Sequence, residues 1–125
     1  AGSGALGFEA ASRGASAVTL VESNPLVVNT LRQTVDRLEA RQVSVHRADA
    51  IEFLAQTDRR FDVVFIDPPY AEGPPIALML RLRERLTTGA KVYIESDRKI
   101  EAPPGWTLLR QGRAGMVHYH LMQAA

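Results

Sequence analysis

The sequence predicts an α/β fold, with a mostly parallel sheet and a C-terminal antiparallel hairpin. Three observations carry that expectation. Segments of helical period alternate with short apolar, β-branched runs along the chain. A glycine-rich turn, Gly2-Ser3-Gly4-Ala5-Leu6-Gly7, opens the first helix. Phe61-Asp62-Val63-Val64-Phe65-Ile66 is almost continuously apolar, the pattern of a central parallel strand covered on both faces. Such alternation implies right-handed crossovers between parallel strands.

The elements follow in order. Ser3 to Arg13 reads as a helix carrying Leu6, Phe8 and Ala10, and Gly14 suits its left-handed C-terminal cap. Ala17 to Val21 is a short β-branched strand. Asn24-Pro25 reads as an N-cap with proline at the first helical position. Leu26, Val27, Leu31, Val35 and Leu38 continue it as an amphipathic helix. Val43 to His46 is a second strand, and Ala50 to Gln56 a short helix with Ile51 and Leu54. After the strand at Phe61 to Ile66, Pro68, Pro69, Gly73, Pro74 and Pro75 make a loop. Ile76 to Leu86 reads as a helix broken by Gly89, followed by a strand from Ala90 to Glu95. Trp106 to Arg110 and Met116 to Met122 read as strands joined by Gln111 to Gly115, a hairpin-length connection.

Composition bounds the answer. The 125 residues are 46% hydrophobic and 23% charged, which fits one domain spanning 1–125 with a real core. Lys+Arg 15 against Asp+Glu 14 excludes a polyelectrolyte tail. The absence of cysteine removes disulfides, cysteine-ligated zinc, iron–sulfur clusters and thiol catalysis. No apolar run approaches the roughly 18 residues of a membrane span, and no signal peptide is visible. Arginine outnumbers lysine 13 to 2. Codon bias accounts for that ratio, and so does a preference for phosphate, which a planar guanidinium binds better than a point charge.

Gly2, Gly4 and Gly7 fit G-x-G-x-x-G, in which glycines permit a tight turn and close approach of backbone to ligand. Glu22 ends the next strand, 20 residues after Gly2, where a carboxylate can accept both ribose hydroxyls of a nucleotide. Asp49-Ala50 follows the second strand. Asp49 suits an adenine amino group, the cap of the helix after it, or both. A dinucleotide and S-adenosyl-L-methionine both remain open here; the first places a pyrophosphate on the helix N-terminus, the second an amino-acid tail over the turn.

Asp67-Pro68-Pro69-Tyr70 follows the most apolar strand directly, where open α/β sheets bind ligands. The residue types suit an exocyclic amino group of a nucleobase. That nitrogen is a poor nucleophile because its lone pair is delocalised into the ring. Two acceptors aimed at its N–H bonds favour the pyramidal, nucleophilic form. The Asp67 carboxylate and the Pro68 carbonyl supply them. Consecutive prolines keep the backbone extended and offer no competing N–H. Tyr70 supplies a face for the base to stack on, worth roughly 1–3 kcal/mol. A sulfonium methyl donor requires no metal, and alignment of nitrogen, methyl carbon and sulfur does most of the work. The plain alternative is a proline-rich turn capped by its aspartate.

With A-G-S-G at the start of the chain, this motif resembles the class I S-adenosylmethionine-dependent amino-methyltransferases. Residues Ala1 to Ala15, Val64 to Tyr70, Val92 to Ser96 and Gly115 to Leu121 look like the RsmD family, which methylates N2 of a guanine in bacterial 16S ribosomal RNA. The likeness spans essentially the whole chain. D-P-P-Y is shared with DNA amino-methyltransferases; the glycine segment is the family-specific part. The resemblance implies a Rossmann-like class I methyltransferase sheet and S-adenosyl-L-methionine as cofactor. Ala1, Gly2, Ser3, Gly4, Glu22, Ser23, Asp49 and Ala50 would bind it. Gly2, Ser3 and Gly4 would line its methionine part, Glu22 its ribose, and Asp49 with Ala50 its adenine. Asp67, Pro68, Pro69 and Tyr70 would hold the guanine. It further implies 16S rRNA or the assembling small subunit as partner, a cytoplasmic location, a monomer, and neither metal nor membrane. Family members have an upstream basic segment and a first strand ending in aspartate. The expectation is therefore a chain opening just after that strand, with either a gap between the strands ending at Glu22 and Ile66, closed by something unexpected, or a missing segment.

The remaining candidates read as structural. His46, His118 and His120 lack metal-ligand spacing, and the last two read as surface or edge residues of one strand face. Trp106 reads as the cover of an apolar edge, and Arg81, Arg83 and Arg85 as a solvated helix face. Glu95 ends the strand after Asp67 and lies near the site. Two rival functions stay open: a DNA adenine or cytosine amino-methyltransferase, and a nucleotide-binding module or nicotinamide-dependent oxidoreductase. The chain has no room for a DNA target-recognition region, and titration with S-adenosylhomocysteine against NAD separates the last two.

Overall fold

The computed structural model describes residues 4–12, 14, 17–66 and 75–124. They divide into two compact units, Ala1–Gln56 and Thr57–Ala125.

In the first unit, α1 (Ala5–Ser12), β1 (Val18–Glu22), α2 (Pro25–Leu38), β2 (Val43–Arg47) and α3 (Ala50–Gln56) follow the predicted order. β1 and β2 pair in parallel, in register from Val18↔Val43 to Glu22↔Arg47. Two glycines set how closely the helices approach. Gly4 has φ +77, and a Cβ there would lie 2.6 Å from the Phe8 ring and 2.8 Å from Leu31 Cδ2. Gly7 faces Leu20 and Val18 of β1 with no room for a side chain. The third glycine of the motif therefore serves helix–strand packing. Gly14 adopts φ +99 after α1, as a left-handed cap requires.

The start of α2 follows from its sequence. Asn24 Oδ1 accepts from the N–H of Leu26 at 2.9 Å and of Val27 at 3.4 Å, and Pro25 stands at the first helical position. The buried stripe of α2 differs from the predicted one. Val28 and Leu31 are buried, with Val27 and Val35 packed beside the core of Ala11, Leu20, Leu31 and Val43. Leu26 and Leu38 are exposed. Leu26 points away from Leu31 by about 140°, at 100° per residue. Leu38 is the last helical residue, where Glu39 turns the chain at φ +51.

The second unit holds β3 (Phe61–Ile66), α4 (Ile76–Leu82), β4 (Leu86–Ser96), β5 (Trp106–Ala114) and β6 (Val117–Ala124). Its sheet has the order β3-β4-β6-β5. β3 pairs with β4 in parallel, and β6 is antiparallel to both β4 and β5. The expected C-terminal hairpin is present, with longer strands and a shorter connection. Ala114↔Val117 is its last pair, leaving Gly115 and Met116 as a two-residue turn with Gly115 at φ +61.

Two expectations need correction. β3 is not covered on both faces. It is an edge of its four-stranded sheet, and Val63 is 56% and Phe65 40% exposed. The apolar run reports strand propensity, not the number of covered faces. β1 and β3 lie in different sheets, as the expected gap between the strands ending at Glu22 and Ile66 requires. Second, α4 stops at Leu82, a 3-10 turn covers Arg83–Arg85, and β4 starts at Leu86. Gly89 breaks no helix; it sits at φ +78 inside β4, where the register slips from Phe61↔Leu86 to Val63↔Lys91. Extra residues on one strand make a bulge, and glycine tolerates its left-handed backbone. Arg81 and Arg83 are exposed as expected, while Arg85 is half-buried.

Candidate functional site

Of the predicted cofactor residues, Gly4, Glu22, Ser23, Asp49 and Ala50 are described. Ala1, Gly2 and Ser3 lie outside the described residues, as do Asp67, Pro68, Pro69 and Tyr70.

Parallel pairing brings the first group together. Glu22 and Arg47 are register partners at the carboxyl ends of β1 and β2. The Ala48 N–H donates to the Glu22 carbonyl oxygen at 3.0 Å, carrying the ladder one step further. Asp49 follows at once. Two carboxylates separated by 27 positions in sequence thus occupy neighbouring strand ends. Glu22 is half-buried, and its Oε2 accepts from the Asn24 N–H at 3.0 Å. That bond turns the carboxylate over the start of α2. Ser23 is exposed in the intervening turn.

The cap reading of Asp49 holds. Its Oδ2 accepts from the N–H of Ile51 at 3.0 Å and of Glu52 at 3.2 Å, and its carbonyl accepts from Phe53 N–H at 2.9 Å. Both cap bonds use Oδ2, so capping does not require Oδ1. Ala50, half-buried, is the first residue of α3. Oriented acceptors on adjacent strand ends fit a group that presents a diol and an amine. A nucleoside is such a group. Gly4 complements them: its carbonyl accepts the Phe8 N–H at 2.8 Å, and its missing Cβ is what lets the turn lie against Leu31.

In the second unit β3 ends at Ile66, paired with Ile94, and Asp67 is the next residue of the sequence. β4 runs on to Ser96. Phe65, Tyr93 and Glu95 share one sheet face. The rings of Phe65 and Tyr93 meet edge-on at 6.1 Å, and the Tyr93 hydroxyl donates to Glu95 Oε1 at 3.2 Å. Glu95 thus stands near the end of β4, as expected. Past Ser96, Arg98 and Asp97 form an exposed ion pair at 3.0 Å, and the guanidinium holds the Asp97 carboxyl below its usual range.

His120 departs from the expected surface position. It is 1% exposed. Its Nε2 accepts from the Ile100 N–H at 2.9 Å, and its Nδ1 lies 3.2 Å from the Ile94 carbonyl oxygen. It fastens the loop after β4 to the sheet. Strand alternation could have found it, because His120 shares its face with the fully buried Met122. His118 is half-buried on the same face. His46 is exposed and packs on the Phe53 ring at 5.1 Å. Trp106 is buried as expected, and its Nε1 has no hydrogen-bond partner among the described residues. Among the described residues no group of three His, Asp or Glu could hold a metal, and no helix is long and apolar enough to cross a membrane.

The family described as conserved hypothetical protein 95 matches residues 1–123. Ribosomal RNA small subunit methyltransferase D of Haemophilus influenzae is 37% identical over 98% of this chain, which spans 68% of that protein. The protein of the same name from Escherichia coli is also 37% identical over 98% of the chain, which spans 65% of it. Among solved structures, the candidate methyltransferase yhhF of Escherichia coli superposes with a TM-score of 0.88 at 37% identity, over 98% of this chain and 71% of that one. The fold is the Rossmann-like α/β fold of class I methyltransferases.

Proposed function

From a chain that belongs to the conserved hypothetical protein 95 family, the RsmD family its glycine segment resembles, we propose an activity: S-adenosyl-L-methionine-dependent methylation of the exocyclic N2 amino group of a guanine in 16S rRNA. The observation that carries this reading is Asp67-Pro68-Pro69-Tyr70 directly after the carboxyl end of β3. The relatives' names supply the RNA; the acceptor pair in the motif supplies the amino group.

The roles follow from chemistry. Glu22 accepts the ribose hydroxyls, with its carboxylate set by the Asn24 N–H. Asp49 keeps Oδ2 on the α3 cap and offers Oδ1 to the adenine amine. Ala1, Gly2, Ser3 and Gly4 line the methionine part, while Ser23 and Ala50 flank the two carboxylates. When bound, the cofactor supplies an electrophilic methyl group on a sulfonium. The Asp67 carboxylate and Pro68 carbonyl accept the two N–H bonds of guanine N2 and hold its lone pair toward that methyl carbon. Pro69 offers no competing N–H, and Tyr70 stacks on the ring. The base must leave any stack to reach them. The reading takes residues 1–125 as one catalytic domain, acting as a monomer in the cytoplasm on 16S rRNA or the assembling small subunit, without a metal.

The test is methyl transfer by the full-length protein to small ribosomal subunits, naked 16S rRNA and DNA. Asp67→Ala is expected to abolish transfer while S-adenosylhomocysteine still binds. Near-normal activity in that variant, or transfer to DNA alone, overturns the reading.

A further inference from the structure

The β5–β6 hairpin carries a feature that the catalytic roles above do not use. Ser96, the last residue of β4, pairs with His118, and His118 pairs with Arg113. The hairpin then runs one pair further, Ala114↔Val117, before turning at Gly115 and Met116. Because β6 is antiparallel to β4, this tip projects past the carboxyl end of β4. That is the end at which β3 stops, at Ile66. β6 stands two strands from β3, roughly 10 Å across the sheet.

Three observations give the tip its chemistry. Met116 is 85% exposed at its apex. Arg113 is exposed, and its Nε donates to the Gly115 carbonyl at 2.7 Å, fixing the guanidinium against the turn. No aspartate or glutamate follows Glu101, so the hairpin bears Arg110 and Arg113 with no acid of its own. An arginine held on a tight turn loses little freedom when it grips a phosphate. An exposed thioether beside it can lie against an unstacked base or enter a base step, as apolar wedges do.

We infer that the β5–β6 tip is an RNA-contacting arm, with Arg113 on a phosphate and Met116 against a base next to the extruded guanine. This rests on the RNA-methyltransferase reading above. A base drawn into the site leaves its neighbours unstacked, and the tip stands past the same sheet edge as the carboxyl end of β3. A protein partner would favour a broader apolar patch than one methionine beside one arginine.

Kinetics of the full-length protein on its RNA substrate test this. Arg113→Ala is expected to raise KM for RNA about tenfold, with kcat and S-adenosylhomocysteine affinity within about twofold of wild type. The slope of log affinity against log salt should fall by about 0.7 to 0.9, the share of one phosphate contact. Arg113→Lys should retain that slope, because a point charge still displaces a counterion. Met116→Ala should raise KM roughly threefold with the slope unchanged. Wild-type transfer with unaltered KM and salt slope in both alanine variants overturns the arm alone. Equal loss of S-adenosylhomocysteine affinity in Arg113→Ala makes Arg113 structural and also overturns it. A wild-type protein that methylates no RNA overturns the proposed function, and the arm with it.

Discussion

The ring of His120 on β6 accepts the backbone N–H of Ile100, 20 residues away, at 2.9 Å in the buried interior of the second unit. A peptide N–H can only donate, so Nε2 carries no proton. Nδ1 carries it and donates to the Ile94 carbonyl oxygen at 3.2 Å. The neutral ring therefore satisfies two backbone groups and ties the turn after β4 to the sheet. His120→Phe would leave the Ile100 N–H buried without a partner. A loss of about 1–3 kcal/mol is expected in urea unfolding. Unchanged stability would mean that the Ile100 N–H finds another acceptor.

Asp49 separates two roles that the sequence leaves superposed. Serine caps helices as well as aspartate does, with a single oxygen. Asp49→Ser should keep stability within about 0.5 kcal/mol and weaken S-adenosylhomocysteine binding about tenfold. Asp49→Ala should lose the cap as well, at about 1 kcal/mol. Calorimetric titration and thermal unfolding read the two effects separately. Full affinity in Asp49→Ser would leave the carboxylate with capping alone.

Gly7 admits no side chain, because a Cβ would run into Leu20 and touch Val18 Cγ1 at 3.3 Å. Gly7→Val is expected to destabilise the first unit by roughly 1–3 kcal/mol through overpacking. Hydrogen exchange should show the loss concentrated in α1 and β1.

Glu39 closes α2 in the left-handed region, φ +51, where a side chain costs about 1–2 kcal/mol. Glycine removes that strain and adds back some unfolded-state entropy. Glu39→Gly should therefore raise stability by up to about 1 kcal/mol, measured as a higher unfolding midpoint in urea at constant m value.

Trp106 Nε1 is buried without a hydrogen-bond partner among the described residues. Phenylalanine keeps most of the ring and removes the unsatisfied donor. Trp106→Phe should thus cost far less than the roughly 3–5 kcal/mol typical of deleting a buried tryptophan side chain. Thermal melts of the two variants Trp106→Phe and Trp106→Ala make the comparison.

Local chemistry determined the elements. Asn24-Pro25 starts α2 because the cap acceptor and fixed proline φ are properties of those residues alone. Gly14 ends α1 and Gly115 turns the hairpin for the same reason. The order of helices and strands and the motif at the end of β3 follow likewise from short-range pattern. Tertiary structure decided what depends on neighbours distant in sequence. An apolar run such as Phe61 to Ile66 cannot report how many of its faces are covered, and two of its apolar residues are exposed. Helical period over Ile76 to Leu86 cannot foresee that Leu86 pairs with Phe61 and draws the chain into β4. A histidine on a strand declares no depth; His120 is buried because the loop after β4 returns an N–H to it. Glu22 and Asp49 each mark a strand end in the sequence. Only the parallel register of β1 with β2 sets them side by side, since hydrogen bonds between strands fix positions that the chain itself separates.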